Sequence, residues 1–308
     1  MEQKILERDL SATLRTPDGA GPFPAVLALG GSDGGTPEYF LELLVREGFA
    51  CLALAYWGTR DTQMTFTEIP LERVERGLRW LAAYPGVRAE DGRVGLIGAS
   101  RGGELALLAA ATFPRFAGPV VAYTPSSVAW VGIDISLPPG GTTRSSWAYR
   151  GVPLPYVSFP RGAAPVMTER GLSLLPMCEG GLVDADAVQR AAIAIERASG
   201  PVLLVSGGDD QVWPAGRMCE QLVERMAQHR RARDVEHLHF PRAGHMLFPY
   251  TRPSDTEILA MPAALGGTAE ADAAAHRAAW PEVVNHLRRK SAAQRAEDTP
   301  ASDAGRGP

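Results

Sequence analysis

The sequence predicts an α/β fold: a mostly parallel central sheet with helices on both faces and an inserted lid or cap. Three observations carry this expectation. Short apolar or β-branched runs alternate with longer stretches whose apolar residues recur at helical spacing. One apolar run passes straight into an alanine-rich helical stretch through GLIGASRGG. The alternation is interrupted once, by a long segment rich in Pro, Gly and Ser.

The elements follow in order. Residues 24–30 (PAVLALG) read as a buried strand. Thr36 then caps a helix with Pro37 at its first position, where a missing N–H costs nothing, and Phe40, Leu43 and Leu44 mark its apolar face as far as Gly48. A strand at 50–56 precedes a helix at 71–84 with Val74, Leu78 and Leu81 at helical spacing. Gly92 resets the chain into a strand at 93–97, followed by a helix at 101–113 and a strand at 118–123. Residues 124–183 break the rhythm (SLPPGGTTRSSW, GVPLPYVSFPRGAAP). A stretch this long without periodicity, inside a compact domain, points to a functional lid or cap. Periodicity returns with a helix at 185–198, a strand at 201–206, a helix at 215–228, a strand at 235–240 and a last helix at 269–287. The polar end, 291–308, reads as a frayed tail behind one domain spanning 1–290.

Composition narrows the chemistry. A chain of 308 residues, 45% hydrophobic and 21% charged, can bury a substantial core, which excludes a disordered or fibrous protein. With 35 acidic residues against 31 basic ones, it lacks the positive excess that nucleic-acid binding needs. Lys4 and Lys290 are the only lysines. Chemistry that needs a buried lysine (Walker A loops, pyridoxal Schiff bases, Ser-Lys dyads) is thereby nearly ruled out, and arginine, where it contributes, is left to act on substrate phosphates or carboxylates. Cys51, Cys178 and Cys219 are too few and too scattered for a disulfide framework or a zinc site. A charged N-terminus and the lack of an apolar run of about 18 residues argue against export or membrane insertion, so the expected location is cytoplasmic. No metal or cofactor is expected.

The strongest local signal is Gly98-Ala99-Ser100-Arg101-Gly102, a G-x-S-x-G between a strand and a helix. A serine on so tight a turn needs small residues two before and two after it, and Gly98 and Gly102 occupy those elbow positions. At the helix N-terminus the Arg101 N–H would face an oxyanion formed at Ser100. A second G-x-S-x-G, Gly30 to Gly34, is followed by more glycine and Thr36-Pro37 before any helix, so Ser32 belongs to an open loop. That loop is assigned to the oxyanion hole, with a plain strand-to-helix turn as the other reading.

A serine hydroxyl needs a base, and the base needs an orienting carboxylate. In chain order Ser, acid, His, each following a strand, the partners fall at GDDQVWP after 201–206 and at PRAGH after 235–240. Asp210 is preferred over Asp209 because it lies four residues before Pro214, the start of the next helix. His245 follows a glycine that leaves its ring room to reach Ser100. His237 and His239 share a strand face without a third ligand at metal spacing, and His229, His276 and His286 have no informative neighbours. Trp57, Trp130, Trp147 and Trp213 fall in loops or the cap, where an apolar pocket and core packing explain them equally well.

In order, the segments GGSDGGTPEYFLELLVREGFACLALAYWG, IPLERVERGLRWLAAYPGV, VGLIGASRGGELALL, AAIAIERASGPVLLVSGGDDQVWP, FPRAGHMLFPY and GGTAEADAAAHRAAWPEVVNHL resemble a known domain across residues 20–290. That domain is the C-terminal catalytic unit shared by acyl-CoA thioesterases and bile acid-CoA:amino acid N-acyltransferases, within the dienelactone-hydrolase-like α/β-hydrolases. The resemblance implies an α/β-hydrolase fold, a Ser-His-Asp triad at Ser100, His245 and Asp210, and acyl transfer from a thioester to water or an amino acid. Serine at the elbow leans toward hydrolysis, since conjugating members often carry cysteine there. Full-length eukaryotic members also carry an N-terminal β-sandwich, whereas about 20 residues of this sequence precede the segment that resembles the catalytic unit.

The expected activity is therefore cleavage of a small-molecule acyl thioester or ester through an acyl-enzyme. Three alternatives remain: an acyltransferase or cyclase using the same triad, a carboxylesterase of dienelactone-hydrolase type, and a non-catalytic binding module. Whether the chain is a homo-oligomer is open.

Overall fold

The computed structural model describes residues 1–7, 9–134, 136–137, 141–169, 171–248 and 265–289, so the expected tail at 291–308 lies outside the described residues. In chain order come β1 (Glu2–Glu7), β2 (Leu10–Arg15), β3 (Phe23–Leu29), α1 (Glu38–Arg46), β4 (Ala50–Ala55), β5 (Ile69–Pro70), α2 (Glu72–Ala83), β6 (Val87–Arg88), β7 (Val94–Ala99), α3 (Arg101–Thr112) and β8 (Ala117–Tyr123). The interrupted stretch holds β9 (Trp147–Tyr149), β10 (Val152–Pro153), β11 (Val166–Thr168), β12 (Gly171–Ser173) and α4 (Leu175–Gly181). After it follow α5 (Ala185–Ala191), β13 (Val202–Gly207), α6 (Ala215–Gln228), β14 (Val235–Phe240) and α7 (Ala269–Leu287).

The main sheet runs β1-β2-β4-β3-β7-β8-β13-β14. From β4 to β14 neighbouring strands are parallel, and β1 and β2 add an antiparallel edge. Strands β4, β7 and β13 are buried along their whole length, as continuous apolar runs must be when helices cover both faces. One face packs on α2, α3 and α6 through residues such as Leu78, Leu105 and Leu222, and the other on α1 and α7 through Phe40, Leu44, Ala279 and Val283. The chain leaves β3 toward β4 on one side and β7 toward β8 on the other, so the carboxyl ends of β3 and β7 border a topological switch point. Ligand sites in open parallel sheets form at that crevice.

Three local expectations are corrected, and one element is added. The N-terminal hairpin of β1 and β2 was not expected, although Ile5, Leu10, Ala12 and Leu14 are buried. Helix α1 begins at Glu38, not Pro37: Thr36 does not cap it, and its carbonyl accepts the Glu38 N–H at 2.9 Å. Pro37, at φ −76° and ψ 73°, is the centre of an inverse γ-turn. The same turn precedes α6, where Pro214 (φ −76°, ψ 66°) lets Ala215 N–H reach Trp213 O at 2.7 Å, so that helix begins after the proline. The helix expected at 185–198 stops at Ala191. Its next backbone groups pair with the 127–129 segment, Ala129 N–H to Ala191 O and Ile193 N–H to Ser127 O, both at 2.9 Å, and only a short 3-10 turn follows at Ile195–Arg197.

One buried group makes the fold acid-sensitive. His286 on α7 is 1% exposed and donates from Nε2 to Pro201 O at 3.1 Å, and burial pushes its pKa down to about 4. The folded state keeps this ring neutral while the unfolded chain protonates it near 6.5, so its stabilising contribution is complete above pH 6.5 and lost as pH falls through 4. The difference is worth about 3 kcal/mol at most. Melting curves between pH 7 and pH 4.5 are expected to show Tm falling less steeply for His286→Gln than for the parent protein. Parallel slopes would contradict the assignment.

Candidate active site

Every sequence-predicted site residue lies at or next to the carboxyl ends of the parallel strands. Ser100 follows β7 with φ 55° and ψ −122°, a strained conformation for a residue bearing a Cβ. The close packing that imposes it is visible at the flanking glycines. A Cβ on Gly98 would lie 2.1 Å from Gly102 O, and one on Gly102 would lie 2.2 Å from Gly30 O. Only glycine lets β7, α3 and the loop after β3 approach this closely.

His245, 3% exposed, sits in the loop after β14 with its Nε2 2.8 Å from Ser100 Oγ. Its Nδ1 lies 2.7 Å from Asp210 Oδ2 in the loop after β13. The other oxygen of Asp210 accepts the N–H groups of Val212 (2.8 Å) and Trp213 (3.2 Å), which fixes the carboxylate plane. The structure thus joins Ser100, His245 and Asp210 in one hydrogen-bonded chain. Neighbouring Asp209 faces away from it and accepts the Gly267 N–H at 3.0 Å.

The loop holding Ser32 lies alongside, with a Cβ at Gly31 falling 3.4 Å from Ser100 Cβ. Tyr56 Oη donates to Gly30 O (2.7 Å) and Gly31 O (3.0 Å), and Trp57 Nε1 donates to Gly31 O (3.4 Å). Across a trans peptide the Ser32 N–H points opposite to the Gly31 carbonyl, hence away from Tyr56. Arg101 N–H stands at the first turn of α3, where intrahelical acceptors are lacking.

Four groups that hold the site in place were missed from sequence. Trp213, 3% exposed, meets the His245 ring edge-to-face at 5.3 Å, and its Nε1 donates to Thr124 O at 3.0 Å. Thr124 Oγ1 in turn donates to His245 O at 3.3 Å. Asp272, in the first turn of α7, accepts the Gly244 N–H at 2.6 Å, and burial pushes its carboxyl up to about 6. Glu104 is fully buried in α3. Of these, only Glu104 carried a local signal, as the one acid in the apolar run RGGELALLAAA.

Ser100 and Ser32 open onto a cavity of about 460 Å³ walled by Trp130, Ile133, Phe159, Met177 and Trp213. Its size falls in the ordinary range for small-molecule sites. Of the four tryptophans noted from sequence, Trp130 and Trp213 line the cavity, Trp147 is core, and Trp57 is half-buried. Cys178 also lines it, and burial pushes its thiol up to about 12, so at neutral pH it is not a competing nucleophile. Arg101 does not offer a free cation, because its guanidinium pairs with Glu104 at 2.8 Å. His237 and His239 both bond to Ser206 Oγ, at 2.7 and 2.9 Å. Among the described residues no group of three His, Cys, Asp or Glu side chains is placed to hold a metal, and no helix is long and apolar enough to cross a membrane.

A parallel sheet with a strained strand-to-helix serine, and acid and histidine following later strands, defines an α/β-hydrolase. The likeness of solved structures supports the fold. A dienelactone-hydrolase-like phosphotriesterase from metagenomic libraries superposes with a TM-score of 0.57 at 16% identity, covering 94% of this chain and 98% of the other. The monoacylglycerol lipase of Paleococcus ferrophilus gives 0.51 at 20% identity, over 90% and 99%. Within that class the chain belongs to the BAAT / acyl-CoA thioester hydrolase C-terminal family, whose model matches residues 69–293. Human acyl-coenzyme A thioesterase 1 is 32% identical over 275 residues, covering 88% of this chain and 61% of the relative. Mouse acyl-coenzyme A amino acid N-acyltransferase 1 is 28% identical over 296 residues, covering 93% and 64%. The chain thus spans about three fifths of the length of these relatives.

Proposed function

We propose that this chain hydrolyses an acyl thioester through an acyl-enzyme on Ser100. The observation that carries the proposal is the unbroken chain Ser100–His245–Asp210 opening onto an apolar cavity. Membership of a family whose relatives are named as acyl-CoA thioesterases and N-acyltransferases supports thioester chemistry in particular.

In the proposed mechanism His245 Nε2 takes the Ser100 proton as Oγ bonds to the thioester carbonyl carbon. The charge that develops on oxygen is held by the N–H groups of Arg101 and Ser32. The C–S bond then breaks, and the sulfur leaves with the proton from the imidazolium. Water, deprotonated by the same nitrogen, attacks the acyl carbon and releases the acid and free Ser100. Asp210 holds the imidazole in the tautomer that presents a bare Nε2 to serine and stabilises its cation.

Residues 124–183 act in this reading as a cap on one hydrolase unit spanning 1–290, since Trp130, Phe159 and Met177 come from that stretch. A reducing, cytoplasmic compartment fits three buried cysteines that form no disulfide. The test is to incubate the protein with acyl-CoA thioesters and p-nitrophenyl esters of graded chain length, with and without an amino acid acceptor. Free acid as the sole acyl product, with thioesters preferred, is the expected result. An acyl-amino acid product would establish the transferase alternative, and preference for esters the carboxylesterase one.

A further inference from the structure

We infer that the buried Arg101–Glu104 pair sets the acyl selectivity of this site, admitting uncharged chains and rejecting those that end in a carboxylate. The inference rests on the thioester-hydrolase reading above and concerns which acyl groups that site takes. Among the described residues lining the cavity, Arg101 is the one cation, and it stands directly beside the nucleophile. A free guanidinium there would receive a terminal carboxylate in a bidentate pair.

The structure commits the Arg101 charge to a buried partner. Its Nη1 donates to Glu104 Oε2 at 2.8 Å and its Nη2 to Val131 O at 2.9 Å. The guanidinium carbon lies 5.4 Å from the centre of the Phe66 ring and 5.7 Å from that of Trp213. Side-chain exposures of 5% and 0% leave the pair dry. Glu104 is itself held: its Oε1 accepts the Trp130 N–H at 3.1 Å and Trp147 Nε1. Neither partner can swing away without orphaning another buried group.

Among the described lining residues the cavity next to Ser100 therefore presents no free positive charge, and the further charged residue on its wall is an acid, Asp134. A carboxylate pushed in would give up its hydration with no cation to meet it. An alkyl or aryl end meets Trp130, Ile133, Phe159 and Met177 instead. The same pair ties the first turn of the elbow helix to residues 130–131 of the interrupted stretch, so the wall is fixed relative to the nucleophile.

The test compares CoA thioesters matched in length and differing in the chain end, hexanoyl against adipoyl and decanoyl against sebacoyl. Because both members of a pair are assayed on one preparation, their kcat/KM ratio does not depend on how much of the sample is folded. The parent protein should favour the methyl-ended member by at least about thirtyfold. Glu104→Gln keeps an acceptor for Trp130 and Trp147 and releases the Arg101 charge, and should narrow the ratio by at least about tenfold. Arg101→Met removes the cation and should not narrow it.

Ratios within about threefold for the parent protein would overturn the inference, as would a folded Glu104→Gln with an unchanged ratio. Should neither variant fold, the parent ratio alone decides. Absence of turnover with every thioester would overturn the thioester-hydrolase reading and this inference with it, whereas equal turnover of both chain ends overturns the inference alone.

Discussion

Replacing Ser100 with alanine is expected to lower thioester turnover by a factor on the order of 10⁴ to 10⁶, with Tm nearly unchanged. The hydroxyl is the attacking group in the proposed mechanism, and no neighbour among the described residues can substitute for it. Cys178 shares the cavity but is held as a thiol by burial, and Ser32 has no histidine hydrogen-bonded to it among the described residues. Alanine keeps the backbone as strained as serine does at φ 55°, so stability should hold. What remains in the variant is the contribution of binding and of the N–H groups facing the oxyanion. Steady-state kinetics together with a melting curve check both halves of the expectation.

Asp210→Asn is expected to cost about 10⁴-fold in kcat with little change in KM. The reason lies in the tautomer. An asparagine amide can still accept the Val212 and Trp213 N–H groups through its oxygen, which turns its NH₂ toward His245 Nδ1. The histidine then accepts at Nδ1 and carries its proton on Nε2, facing Ser100 Oγ with no lone pair to take the serine proton. Asp210 is not among the residues lining the cavity, which is why KM should hold. A loss shared equally between kcat and KM would mean that Asp210 serves the fold more than the proton transfer.

The site was far more legible in the sequence than its surroundings, for a physical reason. An elbow serine requires small residues at fixed offsets because β7, α3 and the β3 loop nearly touch there, so Gly98 and Gly102 announce it locally. The acid and the histidine were readable from chain order, because loops after parallel strands gather at one end of the sheet. The family resemblance added the expectation of a thioester, which no spacing of residues encodes.

What stayed hidden depends on partners far apart in sequence. The alanine-rich 185–198 stretch has helical propensity throughout, yet Ala191 and Ile193 give their backbone bonds to residues some sixty positions earlier. Nothing local distinguishes Trp213 from any loop tryptophan; only its contacts with His245 and Thr124 tie it to the site. Arginine was expected to meet substrate anions if it acted at all, and at position 101 the structure assigns it to Glu104 instead. The N-terminal hairpin is poorly legible in the sequence because the apolar face of β2, Leu10, Ala12 and Leu14, is short and bordered by Asp9 and Arg15.

The most direct test of the account is intact-protein and peptide mass spectrometry after brief mixing with a slowly deacylating acyl-CoA thioester. The mechanism predicts one acyl group per chain, located on the peptide containing Ser100, appearing before free acid and absent from Ser100→Ala. Turnover without any covalent adduct, or an adduct on another residue such as Ser32 or Cys178, would contradict it.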